Sequence, residues 1–244
     1  ILLLLDHLLA HKKQKAVFFI DECQEIGEVA ASKGIEGAIR QVAQETDYLT
    51  FIFSGSNRRL LQQMFDNRSR PLYKLCDRIN ISLIHKQDYT GFIQNIADIT
   101  WGINLPTTVL DEIYTQTEYH PYYINALCSR VWDDFTNTPP THPSDIQTMW
   151  QQYAKEQQTE IARELAPLSE LQKRIIISLA LGNQTKLTGK KSLQRFNATS
   201  AAVIKALNTL EDKDYITQID QGYTLIDPVI KILIQMNYKM PAVA

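Results

Sequence analysis

The stretch that decides the fold is AVFFIDE at residues 16–22, in which five apolar residues lead directly into two acidic ones. An apolar run of this length without polar alternation is typical of a strand buried on both faces, as in a parallel sheet covered by helices. A second apolar strand is predicted at 49–53. Helical patterns at 1–11, 35–45 and 58–65 alternate with these strands, which predicts an α/β sheet with crossover helices.

Beyond residue 87 the strand signal disappears, and four helices are predicted, several of them opened by Ser, Thr or Asp at the N-cap. Their ranges are 88–99, 108–117, 121–134 and 143–165. This region therefore reads as an all-helical segment that follows the α/β part of the chain.

A last unit begins near Pro167, and its pattern is three helices followed by two short strands. The helices are predicted at 169–181, 192–196 and 200–212, and the strands at 215–219 and 223–226. The turn Asp220-Gln221-Gly222 between the strands is a hairpin signal. This order predicts a winged helix-turn-helix, with one core formed by Leu171, Ile175, Leu179, Val203, Leu207 and Leu210.

Charge and cysteine content limit the classes of protein that fit this chain. The net charge is −2, but residues 167–244 carry ten Lys or Arg against six Asp or Glu, so the last unit is basic. Three cysteines far apart and without CxxC spacing favour a reducing, cytoplasmic setting over a disulfide framework. No apolar run reaches the roughly 20 residues that a membrane span needs, so no membrane role is expected. Apolar residues 1–5 read as a helix entered part-way, which suggests a fragment of a longer protein.

Two carboxylates follow the first predicted strand, where the fold would hold them at the carboxyl edge of the sheet. Ligands of open α/β folds bind at this edge, and Asp21 could hold Mg²⁺ through water while Glu22 polarises an attacking water. A strand that merely ends in an acidic turn is common and would give the same pattern. Both interpretations stay open on these residues alone.

Four segments in a fixed order make the chain resemble the prokaryotic P-loop ATPases of the AAA+/STAND group, which join a nucleotide core to a helical lid and a C-terminal winged helix. They are FIDECQEI at 19–26, FIFSGS at 51–56, RPLY at 70–73 and HPYY at 120–123. By this resemblance residues 16–22 are the Walker B strand and its acidic pair. It also implies three domains: the C-terminal part of the ATPase core at 1–86, the lid at 87–166 and the winged helix at 167–244.

The resemblance also implies roles for residues outside the acidic pair. Ser54 and Ser56 fall at the sensor 1 position, where a polar strand tip reads the γ-phosphate, although on these residues alone a plain Ser-Gly strand-to-helix turn is the favoured interpretation. Pro121 and Tyr122 fall in the lid motif that contacts the nucleotide base, and Pro in the first turn of a helix is also structurally favourable. Arg78 could meet phosphate or a neighbouring subunit, or it could be a solvated surface residue.

One departure from this family concerns the phosphate-binding loop. No Gly-x-x-x-x-Gly-Lys-Ser/Thr segment occurs, and the single Gly-Lys pair, Gly189-Lys190, lacks the earlier glycine. Without the backbone N–H groups and the Lys of that loop, a site lacks its main phosphate ligands. We therefore expect ATP and Mg²⁺ to bind only if this loop lies upstream of Walker B; a degenerate relative is the alternative.

The winged helix offers a different function, because basic residues cluster before and within its second helix. Lys190, Lys191 and Arg195 lie there, and Lys205 lies on the predicted recognition helix. Such a patch could contact DNA phosphates, but this helix has no Arg to pair with guanine. The main hypothesis is thus a fragment of a switch ATPase. The alternative is a non-catalytic module that binds DNA, a protein or a second copy through an ATPase scaffold.

Overall fold

The computed structural model describes residues 1–29, 32–79, 81 and 84–238, and the chain divides into two compact units at residues 1–80 and 81–244. The predicted mixed α/β class is confirmed, with a small parallel sheet in the first unit and helices followed by a hairpin in the second. The bounds of the three predicted domains stay predictions, and the end of the last domain, residues 239–244, lies outside the described residues.

The described residues of the first unit form two parallel strands and four helices. In chain order its elements are α1 (Leu2–Lys12), β1 (Ala16–Ile20), α2 (Gln24–Glu28), α3 (Ser32–Glu45), β2 (Leu49–Phe53) and α4 (Arg58–Asp66). In the parallel register Phe18 lies beside Phe51 and Ile20 beside Phe53, so the two strands end together. Both strands have the predicted bounds, whereas the short helix α2 was not predicted.

The sheet has one packed face and one exposed face. On the packed face Phe53 lies against Phe65, and the adjoining core contains Cys23, Met64 and Leu72. On the other face Val17, Phe19 and Ile52 are 62%, 56% and 46% exposed. The prediction of a strand buried on both faces is therefore wrong for the described residues, because apolar sequence shows what a strand can bury but not whether a partner element covers it.

The second unit begins with four helices around one apolar core. They are α5 (Lys86–Trp101), α6 (Thr107–Thr117), α7 (Pro121–Asp134) and α8 (Pro143–Leu165), all within two residues of their predicted bounds at each end. The large aromatic residues Tyr114 and Trp150 are fully buried in this core. Gln94 orders the turn between the first two helices, since its amide donates to the carbonyl of Leu105 at 2.8 Å and accepts from its N–H at 2.7 Å.

The winged helix follows, and its predicted core is confirmed. Its elements are α9 (Glu170–Ala180), α10 (Lys190–Phe196), α11 (Ser200–Asp212), β3 (Ile216–Ile219), β4 (Gly222–Leu225) and α12 (Pro228–Asn237). The core contains the six predicted residues, five of them buried and Leu171 partly buried. Gly222 allows the wing to approach a preceding loop, because a Cβ there would overlap the Gln184 carbonyl oxygen, which accepts from the Tyr223 N–H at 3.0 Å.

The last helix, α12, was not predicted, although its start carries two recognised signals. Asp227 caps it by accepting hydrogen bonds from the N–H groups of Val229 and Ile230, and Pro228 occupies the first turn. No helix in the described ranges combines the length and the apolar character that crossing a bilayer requires. The three cysteines are free.

Candidate functional site

The carboxyl ends of β1 and β2 are joined by backbone hydrogen bonds that fix the residues after each strand. The Ser54 N–H donates to the Ile20 carbonyl at 2.9 Å, and the Cys23 N–H donates to the Ser54 carbonyl at 2.9 Å. The acidic pair after β1 and the Ser-Gly-Ser segment after β2 are therefore neighbours at one edge of the sheet. This is the edge at which open α/β folds bind ligands.

Asp21 lies exposed at this edge, beside a hydroxyl from the neighbouring strand. Its Oδ1 accepts hydrogen bonds from the Ser54 hydroxyl and from the Glu22 N–H, the latter at 3.0 Å. Carboxylate and hydroxyl oxygens suit Mg²⁺, which keeps several waters and needs only one or two protein ligands. No group of three or more His, Cys, Asp or Glu in the described residues could hold a metal by itself. The chemistry of these donors thus fits a partly hydrated Mg²⁺ but not an all-protein metal cage.

Glu22 lies beside Asp21 and is held by three hydrogen bonds to one of its carboxylate oxygens. Its Oε2 accepts from the Ser56 N–H at 3.2 Å, from the Ser56 hydroxyl at 3.1 Å and from the side-chain amide of Gln24. These bonds, with that from Gln24 the largest, lower the pKa of Glu22, so the carboxylate is ionised at neutral pH. The backbone of Glu22 is left-handed at φ 47°, which aims the carboxylate toward the end of the neighbouring strand.

Gln24 is a site residue to which no role was assigned from the sequence. Its side chain is 5% exposed and passes over Gly55, where a Cβ would overlap the Gln24 amide oxygen. That oxygen has no hydrogen-bond partner among the described residues, whereas the amide nitrogen donates to Glu22. The sequence shows Gln24 two residues after the acidic pair. Only the structure shows that its side chain crosses position 55 so closely that Gly is needed there.

Three arginines near the segment 67–78 form structural contacts. Arg70 forms an ion pair with Glu36, a residue that is fully buried on α3. Arg40, whose role the sequence left open, donates to the carbonyl oxygens of Pro71 and Tyr73 at 2.6 and 2.9 Å. Arg78 pairs with Asp66, and both of these side chains are about half exposed. The RPLY segment is therefore bound to α3 by two arginines, and Arg78 lies on the surface of the first unit.

The segment HPYY at 120–123, which is predicted to be a lid motif, lies in the second unit, where His120 precedes α7 and Pro121 starts it. The Tyr122 ring is 63% exposed, while the neighbouring Tyr123 ring packs on His120 and Trp150 at centroid distances of 4.9 and 5.7 Å. Nδ1 of His120 is buried, and no described residue forms a hydrogen bond with it. This turn thus presents the Tyr122 ring to solvent next to a cluster of packed aromatic rings.

The basic residues of the winged helix lie on two helices. Lys190 and Lys191 are exposed in the first turn of α10, and Lys205 is exposed on α11. Arg195 donates to the hydroxyl of Ser178 at 3.2 Å, so one end of its guanidinium is fixed to α9. The cluster is therefore a surface with three exposed lysines and one anchored arginine.

The comparisons with known proteins agree with this architecture. Residues 161–236 match a protein family described as "Probable winged helix domain". A solved structure, the Walker-type ATPase of Pyrococcus abyssi, has a TM-score of 0.70 at 16% identity over 91% of this chain. The match covers 63% of that ATPase, so the chain spans less than two thirds of its length. A comparison with curated proteins returned no match.

Two further solved structures resemble the chain more weakly. RuvB of Thermotoga maritima has a TM-score of 0.46 at 14% identity, and the match covers 93% of this chain and 72% of that one. ORC2 of Aeropyrum pernix has a TM-score of 0.43 at 13% identity, with 97% and 69% covered. Both TM-scores are below 0.5, so the likeness in fold rests on the Pyrococcus abyssi structure, whose 16% identity shows a shared fold and not a shared activity. The chain thus has the fold of a Walker-type ATPase, with a winged helix domain at residues 161–236.

Proposed function

We propose that this chain is part of a cytoplasmic switch ATPase that binds and hydrolyses ATP with Mg²⁺, and that residues 16–22 are its Walker B segment. One observation carries the proposal: two acid–serine contacts join the ends of neighbouring parallel strands, Asp21 with Ser54 and Glu22 with Ser56. An acidic turn without a function would not require both carboxylates to contact serines at the end of the adjoining strand.

In this proposal Asp21 and Ser54 form the part of the site that would bind the metal. Bound Mg²⁺ supplies the positive charge that neutralises the phosphate oxygens. Asp21 would hold the hydrated ion through its carboxylate, which the Ser54 hydroxyl orients by donating to Oδ1. A bound cation would be expected to change this contact, because it would compete with the Ser54 hydroxyl for the Asp21 carboxylate.

Glu22 and Ser56 form the part of the site that would contact the attacking water and the γ-phosphate. The ionised carboxylate of Glu22 can accept a proton from an attacking water at Oε1, because its hydrogen bonds to Ser56 and Gln24 all go to Oε2. Since Ser56 donates both its N–H and its hydroxyl to Glu22, it is placed to exchange this partner for a phosphate oxygen. Such an exchange would link the presence of a γ-phosphate to the hydrogen bonding of the base.

The remaining parts of the proposal concern the base and the phosphates. Pro121 and the exposed ring of Tyr122 would contact the nucleotide base, and Arg78 would leave Asp66 to meet phosphate or a neighbouring subunit. The phosphate-binding loop would come from residues outside 1–244. The outer face of the sheet, which includes Val17 and Phe19, is exposed. This exposure supports a contribution from further residues, since helices normally cover both faces of a parallel sheet.

We expect the 244-residue chain alone neither to bind ATP tightly nor to hydrolyse it, whereas a protein extended upstream through a phosphate-binding loop does both. In the extended protein Asp21→Ala should weaken ATP binding in the presence of Mg²⁺ and have little effect in EDTA. Calorimetric titrations with and without the metal measure this difference. Asp98→Ala, at an exposed position on α5, is the matched control and should bind as the parent does. An extended protein that fails to bind ATP would contradict the proposal.

A second candidate function, a DNA-binding or protein-interaction module without catalysis, is favoured by the winged helix and its exposed Lys190, Lys191 and Lys205. Helix α11 would enter the major groove, and the lysines would contact phosphates on either side of it. The protein alternative, including self-association, would use the same exposed surface. Salt dependence separates the two, because only phosphate contacts release condensed counterions from DNA.

If the lysines contact phosphates, replacing Lys190 and Lys191 with Ala should flatten the log–log salt dependence of duplex binding by up to about two units, at about 0.9 per contact. Fluorescence anisotropy with a labelled duplex at several salt concentrations measures the slope. The control is Lys33→Ala with Lys155→Ala, which removes the same charge from exposed positions on α3 and α8. Equal slopes for the parent and both double variants would show that the cluster does not contact DNA.

A further inference from the structure

Helix α12 belongs to two apolar cores at once. Val229 and Leu233 are buried in the core of α5–α8, while Ile230 and Ile234 are buried in the core of the winged helix. Residues four apart share a helix face, and adjacent residues lie about 100° apart, so α12 presents one apolar stripe to each core. The core of α5–α8 and the core of the winged helix therefore share α12. Moving this helix away from either core would expose buried side chains.

The N-terminus of α12 also forms a polar contact with the start of α7. Oδ1 of Asp227 accepts from the Val229 and Ile230 N–H groups at 2.6 and 3.2 Å, and its Oδ2 accepts a hydrogen bond from the Tyr123 hydroxyl. Burial and the neighbouring Asp227 carboxylate raise the pKa of Tyr123, which keeps the hydroxyl protonated as a donor. One carboxylate thus caps α12 and holds a tyrosine 104 positions earlier in the chain.

A second contact lies one helical turn further along α12. Lys231 forms an ion pair with Glu118, so Asp227 and Lys231 hold the two sides of the turn 118–123. Glu118 and Tyr119 both have left-handed backbones, at φ 49° and 60°, a conformation that costs free energy for residues other than glycine. A turn of this kind keeps its shape only where surrounding contacts hold it, and here α12 supplies two of them.

We propose that Asp227 is a positioning residue for the turn 118–123: through Tyr123 it sets the orientation of Pro121 and Tyr122, and so couples nucleotide binding to the winged helix through α12. The inference rests on the proposed role of Pro121 and Tyr122 at the nucleotide base. It adds that part of the base site is controlled from the winged helix. A purely structural role for Asp227 would stabilise α12 without affecting recognition of the base.

The test compares ATP with inorganic tripolyphosphate, which has the phosphates but no base, in the protein extended through a phosphate-binding loop. Tyr123→Phe removes the donor, and Asp227→Asn keeps an oxygen for the cap of α12. We expect each variant to bind ATP about fivefold more weakly, the lower end of typical coupling between sites, and tripolyphosphate as the parent does. The double variant should be no weaker than Tyr123→Phe alone, because this substitution already removes the hydroxyl through which Asp227 acts.

Tyr215→Phe is the matched control, since the Tyr215 hydroxyl donates to the Glu164 carbonyl at 3.1 Å elsewhere in the same unit. It should leave the affinity for both ligands unchanged. As a second readout, ATP should slow amide hydrogen exchange at Val229 and Ile230 in the parent but not in Tyr123→Phe.

Three results would overturn the inference. If the parent binds ATP and the Tyr123 and Asp227 variants bind it equally well, the inference fails while the proposed function stands. Equal loss of both ligands in these variants would show a structural role. A parent that binds tripolyphosphate and ATP with the same affinity would show that no base site exists, and the base assignment would fall together with the inference.

Discussion

Glu22→Gln in the extended protein is expected to keep nucleotide bound while hydrolysis falls by about 10²–10⁴-fold, the range typical of losing a general base. The amide has the same shape as the carboxylate, and its oxygen can still accept from the N–H and the hydroxyl of Ser56. The site therefore keeps its geometry but has no group that takes a proton. Binding by titration and phosphate release under single-turnover conditions measure the two effects separately.

The control for this prediction is Glu25→Gln, which makes the same chemical change at an exposed position in the first turn of α2. It should turn over at the parental rate. Because hydrogen bonds lower the pKa of Glu22, the parental rate should stay constant from neutral pH down to below the usual range of a glutamate. Normal turnover by Glu22→Gln would mean that the acidic pair is structural and would favour the non-catalytic module.

The sequence was sufficient to predict most elements, and the two errors have physical causes. Strands 16–20 and 49–53 are uninterrupted apolar runs between polar residues, so their bounds are clear. Helix α2 has five residues, too few for a 3.6-residue period to appear. Helix α12 has an Asp-Pro start and a helical apolar pattern, but three helices and a hairpin already make up the predicted winged helix-turn-helix, so no further helix was expected.

From the sequence, the candidate site could be predicted only where the order of the strands brings residues together. Parallel strands that end together bring the residues after them to one edge, which is why Asp21 and Ser54 could be expected near each other. The contacts of Gln24 depend on how its side chain crosses Gly55, and no spacing rule encodes that path. Long-range contacts such as Tyr123 with Asp227 are set by tertiary packing, which a single sequence does not reveal.

The largest expected effect on stability is at the ion pair between Arg70 and Glu36. Arg70→Met should destabilise the first unit by about 3–5 kcal/mol, because it leaves the fully buried carboxylate of Glu36 without its partner. Arg68→Met, at an exposed position in the same segment, should change the free energy of unfolding by less than about 0.5 kcal/mol. Both substitutions remove a positive charge from the same loop, so their difference isolates the buried contact.

The measurement must report the first unit separately from the second. All three tryptophans, Trp101, Trp132 and Trp150, lie in the second unit, so their fluorescence follows the helical region during denaturation. Amide hydrogen exchange within β1 and β2 reports the first unit, and Arg70→Met should speed it while leaving the tryptophan transition in place.

A double variant, Glu36→Leu with Arg70→Met, removes both charges of the pair and should recover much of the lost stability. Apolar groups of similar volume can replace a buried ion pair at little cost, whereas a lone buried carboxylate cannot be compensated. If Arg70→Met alone left exchange in β1 and β2 unchanged, the pair would contribute nothing to the first unit. The RPLY segment would then depend on Arg40, whose two hydrogen bonds to the carbonyls of Pro71 and Tyr73 do not involve Glu36.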